Sequence, residues 1–242
     1  MKIALFSDIH ANLAALEAVL VDVDSCAVDT AWAAGDTVGY GPDPNACIDF
    51  VRQRCSLVVA GNHEAAATGR ISTANFNPYA AAAARWTAEA LTEKSLGFLK
   101  GLPEREEHPP LTLVHGSPKD PTWQYLLNVE DIFDNLAYFD TPGCVVGHSH
   151  LQFMFDVDNV ATSLKPVEIE TTLDLPMGRY YLNPGSVGQP RDGDARAAWA
   201  LVDLVARTVE FRRVEYDIPA TQAKMEAEGL PAMLISRLSS GN

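Results

Sequence analysis

The side chains best suited to chemistry are histidines, aspartates and an asparagine that occur together in five short strings. Five of the six histidines lie in these strings, and only His108 lies outside them. Imidazole nitrogens with carboxylate and amide oxygens suit a divalent transition metal. Seven such groups exceed what one ion needs, so the pattern favours a hydrolytic centre with two metal ions. The strings are Asp8-Ile9-His10, Gly35-Asp36, Gly61-Asn62-His63-Glu64, His115-Gly116 and Gly147-His148-Ser149-His150.

Each string has a simpler explanation when it is taken alone. Asp8 could cap a strand end, and Asn62 beside Gly61 could be a left-handed turn residue. All five strings, however, follow the C-terminal ends of predicted strands, the edge at which ligands bind in open α/β sheets. We therefore predict that they converge in one crevice, where the two oxygens of Asp36 bridge two ions and His63 is free to donate a proton.

Strands and helices alternate in the first part of the predicted structure. The helix after the first strand has apolar residues at helical spacing, and Asn12 is a plausible N-cap. The predicted strands are Lys2–Ser7, Ala31–Ala34, Leu57–Ala60, Leu111–Val114 and Cys144–Val146. The predicted helices are Asn12–Val23, Pro44–Arg54, an alanine-rich helix from Asn77-Pro78, a second that ends near Lys100, and Val129–Tyr138.

From Leu151 onward the pattern changes to short β-type runs, of which the last alternates visibly between apolar and charged residues. These runs are Gln152–Val157, Val167–Thr171, Arg179–Leu182, Ala198–Val205 and Thr208–Tyr216. Two helices follow at Pro219–Glu228 and Pro231–Leu238, and we expect the Ser239–Asn242 tail to fray. The sequence therefore predicts an α/β (α+β) fold, in which two packed sheets are flanked by helices, as a single domain of residues 1–242.

The composition is that of a soluble globular enzyme, with 47% apolar and 21% charged residues. No apolar run approaches a membrane span, and the N-terminal apolar run is too short for a signal peptide, so we expect a cytoplasmic protein. The formal net charge of -14 makes nucleic-acid binding unfavourable. A small phosphate substrate remains compatible, because bound dications would reverse the local field.

The five strings, in this order, resemble the calcineurin-like metallophosphoesterases. Their pattern D-x-H, G-D, G-N-H-[DE], H-G and G-H-x-H is matched in full from Asp8 to His150. The downstream string from Asn183 to Arg191 resembles bacterial members of this family. The resemblance implies a two-sheet sandwich with flanking helices, two ions, and a histidine that assists catalysis. In that scheme Asp8, His10 and His150 bind one ion, Asn62, His115 and His148 bind the second, Asp36 bridges, and His63 is catalytic.

One departure from the family pattern concerns the residues after Gly35-Asp36. Phosphoprotein phosphatases and the symmetrical dinucleoside tetraphosphate hydrolases carry Asp-Arg where this chain has Gly39-Tyr40. The chain therefore lacks a carboxylate to orient His63 and an arginine to clamp phosphate, which argues against protein-phosphatase activity. Arg191 is a replacement candidate for substrate binding, because a guanidinium fork suits phosphate oxygens. The alternative is a solvated loop arginine beside Asp192 and Asp194.

These observations predict a phosphoesterase that hydrolyses phosphomonoesters or phosphodiesters of small molecules with a hydroxide held between two divalent ions. Manganese, iron, zinc, nickel and magnesium all suit the nitrogen and oxygen ligands. The alternatives are a nuclease of the same family and a non-catalytic metal-binding scaffold. The excess of acidic residues argues against the nuclease, because it disfavours binding of nucleic acid. The physiological substrate, the choice between monoester and diester, and the oligomeric state stay open.

Overall fold

Two β-sheets form the centre of the computed structural model, which describes residues 1–159, 164, 167 and 169–242. The first sheet has the order β3-β2-β1-β10-β11-β8 and the second β4-β5-β6-β9-β7. The strands are β1 (Lys2–Phe6), β2 (Thr30–Ala33), β3 (Cys55–Val58), β4 (Arg105–His108), β5 (Leu111–Val114), β6 (Gly143–Val145), β7 (Gln152–Asp156), β8 (Thr172–Asp174), β9 (Tyr180–Pro184), β10 (Ala197–Asp203) and β11 (Thr208–Val214).

Both sheets combine a parallel part with antiparallel strands. In the first sheet β1, β2 and β3 run parallel, so that Leu5 lies opposite Trp32, while β10 pairs antiparallel with β1. In the second sheet β5, β6 and β9 run parallel, and β4 and β7 are antiparallel edge strands. The carboxyl ends of the parallel strands are the edges at which the chain turns out into the motif strings.

Helices cover the outer faces and begin at residues suited to capping. The Asn12 side chain accepts a hydrogen bond from the Ala15 amide at 3.2 Å, and Asn77 accepts two amides ahead of Pro78. The helices are α1 (Leu13–Ser25), α2 (Pro44–Arg54), α3 (Asn62–Ala67), α4 (Pro78–Ala90), α5 (Glu93–Gly101), α6 (Val129–Asn135), α7 (Ile218–Ala227) and α8 (Ala232–Arg237).

The main core lies between the two sheets. Leu5, Trp32 and Phe211 from the first sheet pack with Leu113 and Leu182 from the second, and all five are buried. The opposite face of the first sheet packs against α1 through a second apolar cluster. The predicted sandwich with flanking helices is therefore confirmed.

Several elements differ from their predicted form. The sequence pattern did not predict α3, which is too short to show helical periodicity, or β4, a charged edge strand. The predicted run Val167–Thr171 includes residue 168, which lies outside the described residues; Ile169 and Glu170 form a turn, and a strand follows at β8.

The C-terminal tail is also more ordered than expected. The Gly241 amide donates to the Arg237 carbonyl at 3.1 Å, and the Gly241 carbonyl accepts from the Gly193 amide at 2.8 Å. These bonds hold the tail against the loop that follows Arg191, so the prediction of a frayed tail was wrong. Among the described residues, no helix is long and apolar enough to cross a membrane.

Candidate metal centre

The predicted convergence of the five strings occurs at the carboxyl ends of the strands. Asp8, Asp36 and Asn62 follow β1, β2 and β3 of the first sheet, and His115 and His148 follow β5 and β6 of the second. The two edges face each other, so both sheets contribute to one buried group. Every predicted ligand, and His63, is at most 4% exposed: Asp8, His10, Asp36, Asn62, His63, His115, His148 and His150.

Left-handed backbone conformations turn several of these side chains inward. Asp8, His10 and Asp36 have φ of 52°, 49° and 52°, and His148 and His150 have φ of 63° and 61°. Such conformations are costly for residues other than glycine and concentrate at functional sites. They allow His148 and His150, which would point to opposite faces in a regular strand, to enter two neighbouring clusters of the same crevice.

The first cluster consists of Asp8, His10 and His150. The Nδ1 atoms of the two histidines donate to the carbonyls of Val38, at 3.1 Å, and of Gln189. A carbonyl only accepts, so each Nε2 carries a lone pair in the neutral ring. These two Nε2 atoms lie 3.1 Å apart. The Asp8 Oδ1 atom is 3.0 Å from Nε2 of His150 and has no hydrogen-bond donor among the described residues.

The second cluster, Asn62, His115 and His148, repeats this arrangement. His115 Nδ1 donates to the Ala34 carbonyl at 2.9 Å, and His148 Nε2 donates to the Trp123 carbonyl at 3.2 Å. The remaining ring nitrogens face each other at 3.1 Å, and the Asn62 amide oxygen lies 3.2 Å from Nε2 of His115. With both rings neutral, as metal binding requires, two lone pairs repel at this distance unless a cation lies between them, so the donor set fits a metal ion.

Asp36 lies between the two clusters. Its Oδ2 atom is 3.2 Å from Nε2 of His115 and 3.9 Å from Nε2 of His10. Its Oδ1 atom accepts from the His63 amide at 2.9 Å. Three groups of potential ligands therefore overlap: Asp8 with His10 and His150, Asp36 with His115 and His148, and His10 with Asp36 and His63.

Glu64 is a supporting residue to which the sequence interpretation gave no role. Its buried carboxylate accepts the amides of Asp36 and Gly61, both at 2.8 Å, and that of Val38 at 3.1 Å. It thus ties the Asp36 loop to the start of α3. Burial, aided by the Asp36 charge, raises the pKa of Glu64 to about 7.

Burial lowers the pKa of a histidine in this site, whereas a neighbouring carboxylate raises it. Burial lowers the pKa of His148 to about 3 and that of His150 to about 4, with the neighbouring charges of His115 and Arg191 acting in the same direction. At His115 the Asp36 carboxylate outweighs burial and raises the pKa to about 10. Although burial opposes it, the histidines hold the pKa of both Asp8 and Asp36 well below the usual range.

Comparison with known proteins identifies the family. A sequence model of the calcineurin-like phosphoesterase superfamily domain matches residues 1–207. The chain belongs to the calcineurin-like phosphoesterase superfamily. An uncharacterized protein of Methanocaldococcus jannaschii is 39% identical over 246 residues, which covers 99% of this chain and 98% of the relative.

Solved structures of calcineurin-like phosphoesterase architecture agree with this assignment. A metallophosphoesterase from Sphaerobacter thermophilus is 44% identical and has a TM-score of 0.92, with 100% of this chain and 99% of that chain covered. A hypothetical protein from Pyrococcus horikoshii has a TM-score of 0.81 at 20% identity, covering 100% and 98%, and shows the shared fold. The superfamily is metal-dependent, in agreement with the clustered ligands.

His63 lies among aromatic rings beside the candidate metal ligands. Gly39 has φ 89°, and a Cβ atom there would overlap the His63 ring. The Nδ1 atom of His63 is buried and has no hydrogen-bond partner among the described residues. Instead of a carboxylate, the rings of Tyr40 and Phe76 flank it, with centroids 4.3 and 5.2 Å away. Burial lowers the pKa of His63 to about 3, although Asp36 opposes the shift.

Arg191 is half-buried beside Gln189 and Tyr40, next to the candidate metal ligands. Its guanidinium donates to the Gln189 side-chain oxygen at 3.0 Å and lies 5.9 Å from the centre of the Tyr40 ring. The neighbouring carboxylates pair elsewhere, Asp192 with Arg213 and Asp194 with Arg196. Arg191 is therefore not neutralised by the acids beside it in the sequence.

Aromatic side chains pack around the site histidines. The exposed Tyr125 stacks on the His148 ring at 3.8 Å, and Phe76, which contacts the His63 ring, also contacts Trp123 at 5.1 Å. Tyr79 is exposed at the start of α4. The rings of Tyr125 and Phe76 thus contribute to the packing of the site.

Proposed function

We propose that this protein is a dinuclear metal-dependent phosphoesterase that hydrolyses phosphomonoesters or phosphodiesters of small molecules. The observation that supports it is the double set of facing imidazole lone pairs. One ion would be held by Asp8, His10 and His150, and the other by Asn62, His115 and His148, with Asp36 shared between them. Manganese, iron, zinc, nickel and magnesium are all compatible with these nitrogen and oxygen donors.

Two such ions would supply a water nucleophile at neutral pH and would neutralise charge on the phosphoryl oxygens. The protein would fix their positions. His10, His115, His148 and His150 each donate their second ring nitrogen to a backbone carbonyl, which fixes the tautomer and the orientation of the ring. A preorganised site of this kind avoids reorganisation during the reaction.

His63 is the proposed catalytic residue, either as a proton donor or as a neutral hydrogen-bond donor. Its surroundings favour the second role. A proton donor at neutral pH needs a pKa near the working pH, whereas burial keeps the His63 imidazole neutral. Its Nδ1 atom has no carboxylate partner in the described part of the chain. We therefore assign His63 as a neutral hydrogen-bond donor that stabilises charge on the phosphoryl or leaving oxygen. Arg191 would bind phosphate oxygens.

The test is a substrate screen of the purified, metal-supplemented protein. We expect turnover of p-nitrophenyl phosphate or bis-p-nitrophenyl phosphate that depends on added divalent metal, and little cleavage of single-stranded DNA. Preferred cleavage of DNA would identify a nuclease. No turnover of any substrate by fully metal-loaded protein would support a binding scaffold and contradict the proposal.

A further inference from the structure

Two arginines from distant parts of the chain meet beside the proposed metal centre. Arg191 follows β9 in the loop after Gln189, whereas Arg237 ends α8, outside the 1–207 region that the family model matches. Both donate to the same Gln189 side-chain oxygen, at 3.0 and 3.4 Å. The Gln189 backbone carbonyl in turn accepts from Nδ1 of His150. The arginine pair is therefore connected through Gln189 to a proposed metal ligand.

The position of this pair is fixed by one buried and one exposed contact. Gln189 is only 1% exposed, and the Arg237 Nε donates to the main-chain oxygen of Asn242 at 2.6 Å at the surface. The Gly241 carbonyl accepts from the Gly193 amide, which ties the tail to the Arg191 loop. The C-terminal segment thus holds the second guanidinium against the first, rather than leaving it free in solvent.

No Asp or Glu side chain balances the charges of the pair. Within residues 1–159, 164, 167 and 169–242, neither Arg191 nor Arg237 pairs with an acidic side chain, and Asp192 and Asp194 pair with other arginines. The Nε of Arg191 is buried without a hydrogen-bond partner in the same part of the chain. Burial, together with the charge of Arg191, lowers the pKa of Arg237. In a chain with 32 acidic and 18 basic residues, two arginines held together without an acidic side-chain partner point to an anion supplied from outside.

We propose that Arg191 and Arg237 form a second anion subsite that binds a further phosphate group of the substrate, beside the phosphoryl group that is hydrolysed. This inference rests on the proposed function and narrows its substrate class to phosphoesters with two phosphate groups. Guanidinium groups bind phosphate through paired, charge-assisted hydrogen bonds. The Arg191 Nε, which has no partner among the described residues, is one donor of this kind. The terminal NH groups of Arg191 and Arg237 around the Gln189 side-chain oxygen are the others.

The test measures binding rather than turnover, so it remains informative whichever ester the enzyme hydrolyses. Metal-loaded protein is titrated calorimetrically with methylphosphonate, which has one phosphonate group, and with methylenediphosphonate, which has two and resists hydrolysis. We expect the diphosphonate to bind at least about tenfold more tightly, the effect of one or two charge-assisted hydrogen bonds. Arg237→Gln should remove most of this preference and leave the methylphosphonate affinity within about twofold.

Two further variants make the result specific. Arg237→Lys keeps the charge and should retain part of the preference. Arg52→Gln, at an exposed arginine paired with Asp49 on α2, should change neither affinity. Circular dichroism and metal analysis confirm that each variant is folded and loaded.

An unchanged preference in Arg237→Gln would show that Arg237 takes no part in binding the second phosphonate group, and would overturn the inference. Equal affinity of the unaltered protein for both ligands would overturn it as well. Turnover of p-nitrophenyl phosphate by the same preparations tests the proposed function separately, so the two failures are distinguishable.

Discussion

At the scale of single residues, the centre is defined by what each ligand does with its second polar atom. Four histidines donate one ring nitrogen to a carbonyl and direct the other at a neighbour that also accepts. Asp36 directs one oxygen between the clusters and uses the other to hold the His63 amide. The amount of metal lost when one candidate ligand is replaced should therefore depend on whether that residue binds one ion or two.

Replacement of His63 tests the separation of catalysis from metal binding. We expect His63→Ala to lower kcat about 10²–10³-fold, because a positioned hydrogen-bond donor is lost while the candidate ligands stay in place. Elemental analysis should show nearly normal metal content. His108→Ala, at the exposed histidine outside the motif strings, is the control and should keep both activity and metal. Loss of metal in His63→Ala would show that His63 is a ligand, as its proximity to His10 and Asp36 permits.

The shared position of Asp36 leads to a second prediction at this scale. Asp36→Asn should remove more metal than His10→Ala, because one substitution weakens two coordination shells. The measurement is metal stoichiometry after dialysis against a fixed free-metal concentration. Equal losses of a single ion in both variants would contradict bridging by Asp36.

At the scale of elements, the loop Gly35–Gly41 and the helix α3 position the centre together. Glu64 joins them through three amides, and Gly39 lets the backbone approach the His63 ring. The absence of a side chain at position 39 is therefore required by sterics as well as by φ. Tyr40 then packs on His63 in place of the missing carboxylate.

Two glycine substitutions distinguish the effect of steric overlap with His63 from the effect of backbone strain alone. Gly39→Ala should displace His63 and lower kcat at least about tenfold with little loss of metal, since its Cβ would overlap the ring. Gly69→Ala is matched to it, because Gly69 has φ 76° but nothing within 4 Å of the added Cβ. Both variants should lose about 1 kcal/mol or more of stability from strain, measured by denaturant unfolding. Equal activity in the two would argue against contact with His63.

The sequence predicted the convergence of the candidate ligands better than the contacts that support them. Asp8, Asp36, Asn62, His115 and His148 were recognisable as candidates because each follows a strand end, a local signal. The role of Glu64 and the approach of Gly39 to His63 depend on how α3 packs against a loop some 25 residues earlier, and no local pattern reports that. The proximity of Arg237 to Arg191 likewise depends on contacts between distant parts of the chain, so no local pattern predicts it.

At the scale of the whole molecule, the two sheets bring together, in one buried site, histidines whose pKa values are shifted in opposite directions. The Asp36 carboxylate raises the pKa of His115 to about 10, so metal entry must displace a proton there. Burial lowers the pKa of His148 and His150 to about 3 and 4, which keeps them neutral above those values. Metal affinity should therefore be governed by His115 and should rise with pH through the neutral range.

The pH dependence follows with a definite sign. We expect activity to increase from acid to neutral or mildly alkaline pH, and excess Mn²⁺ should recover part of the loss at acid pH. In the metal-free protein, the stability contributed by His148 and His150 is fully present above about pH 6.5 and is lost as pH falls towards their lowered pKa values. High activity at about pH 4 without any metal dependence would contradict the mechanism.

Two ions are proposed to occupy the two clusters, and anomalous diffraction from crystals grown with Mn²⁺ would reveal their number and positions. We predict two anomalous peaks about 3.5–4 Å apart, the usual separation in two-metal sites. One should lie between the facing nitrogens of His10 and His150, and the other between those of His115 and His148. A single peak, or none, at saturating metal would contradict the account.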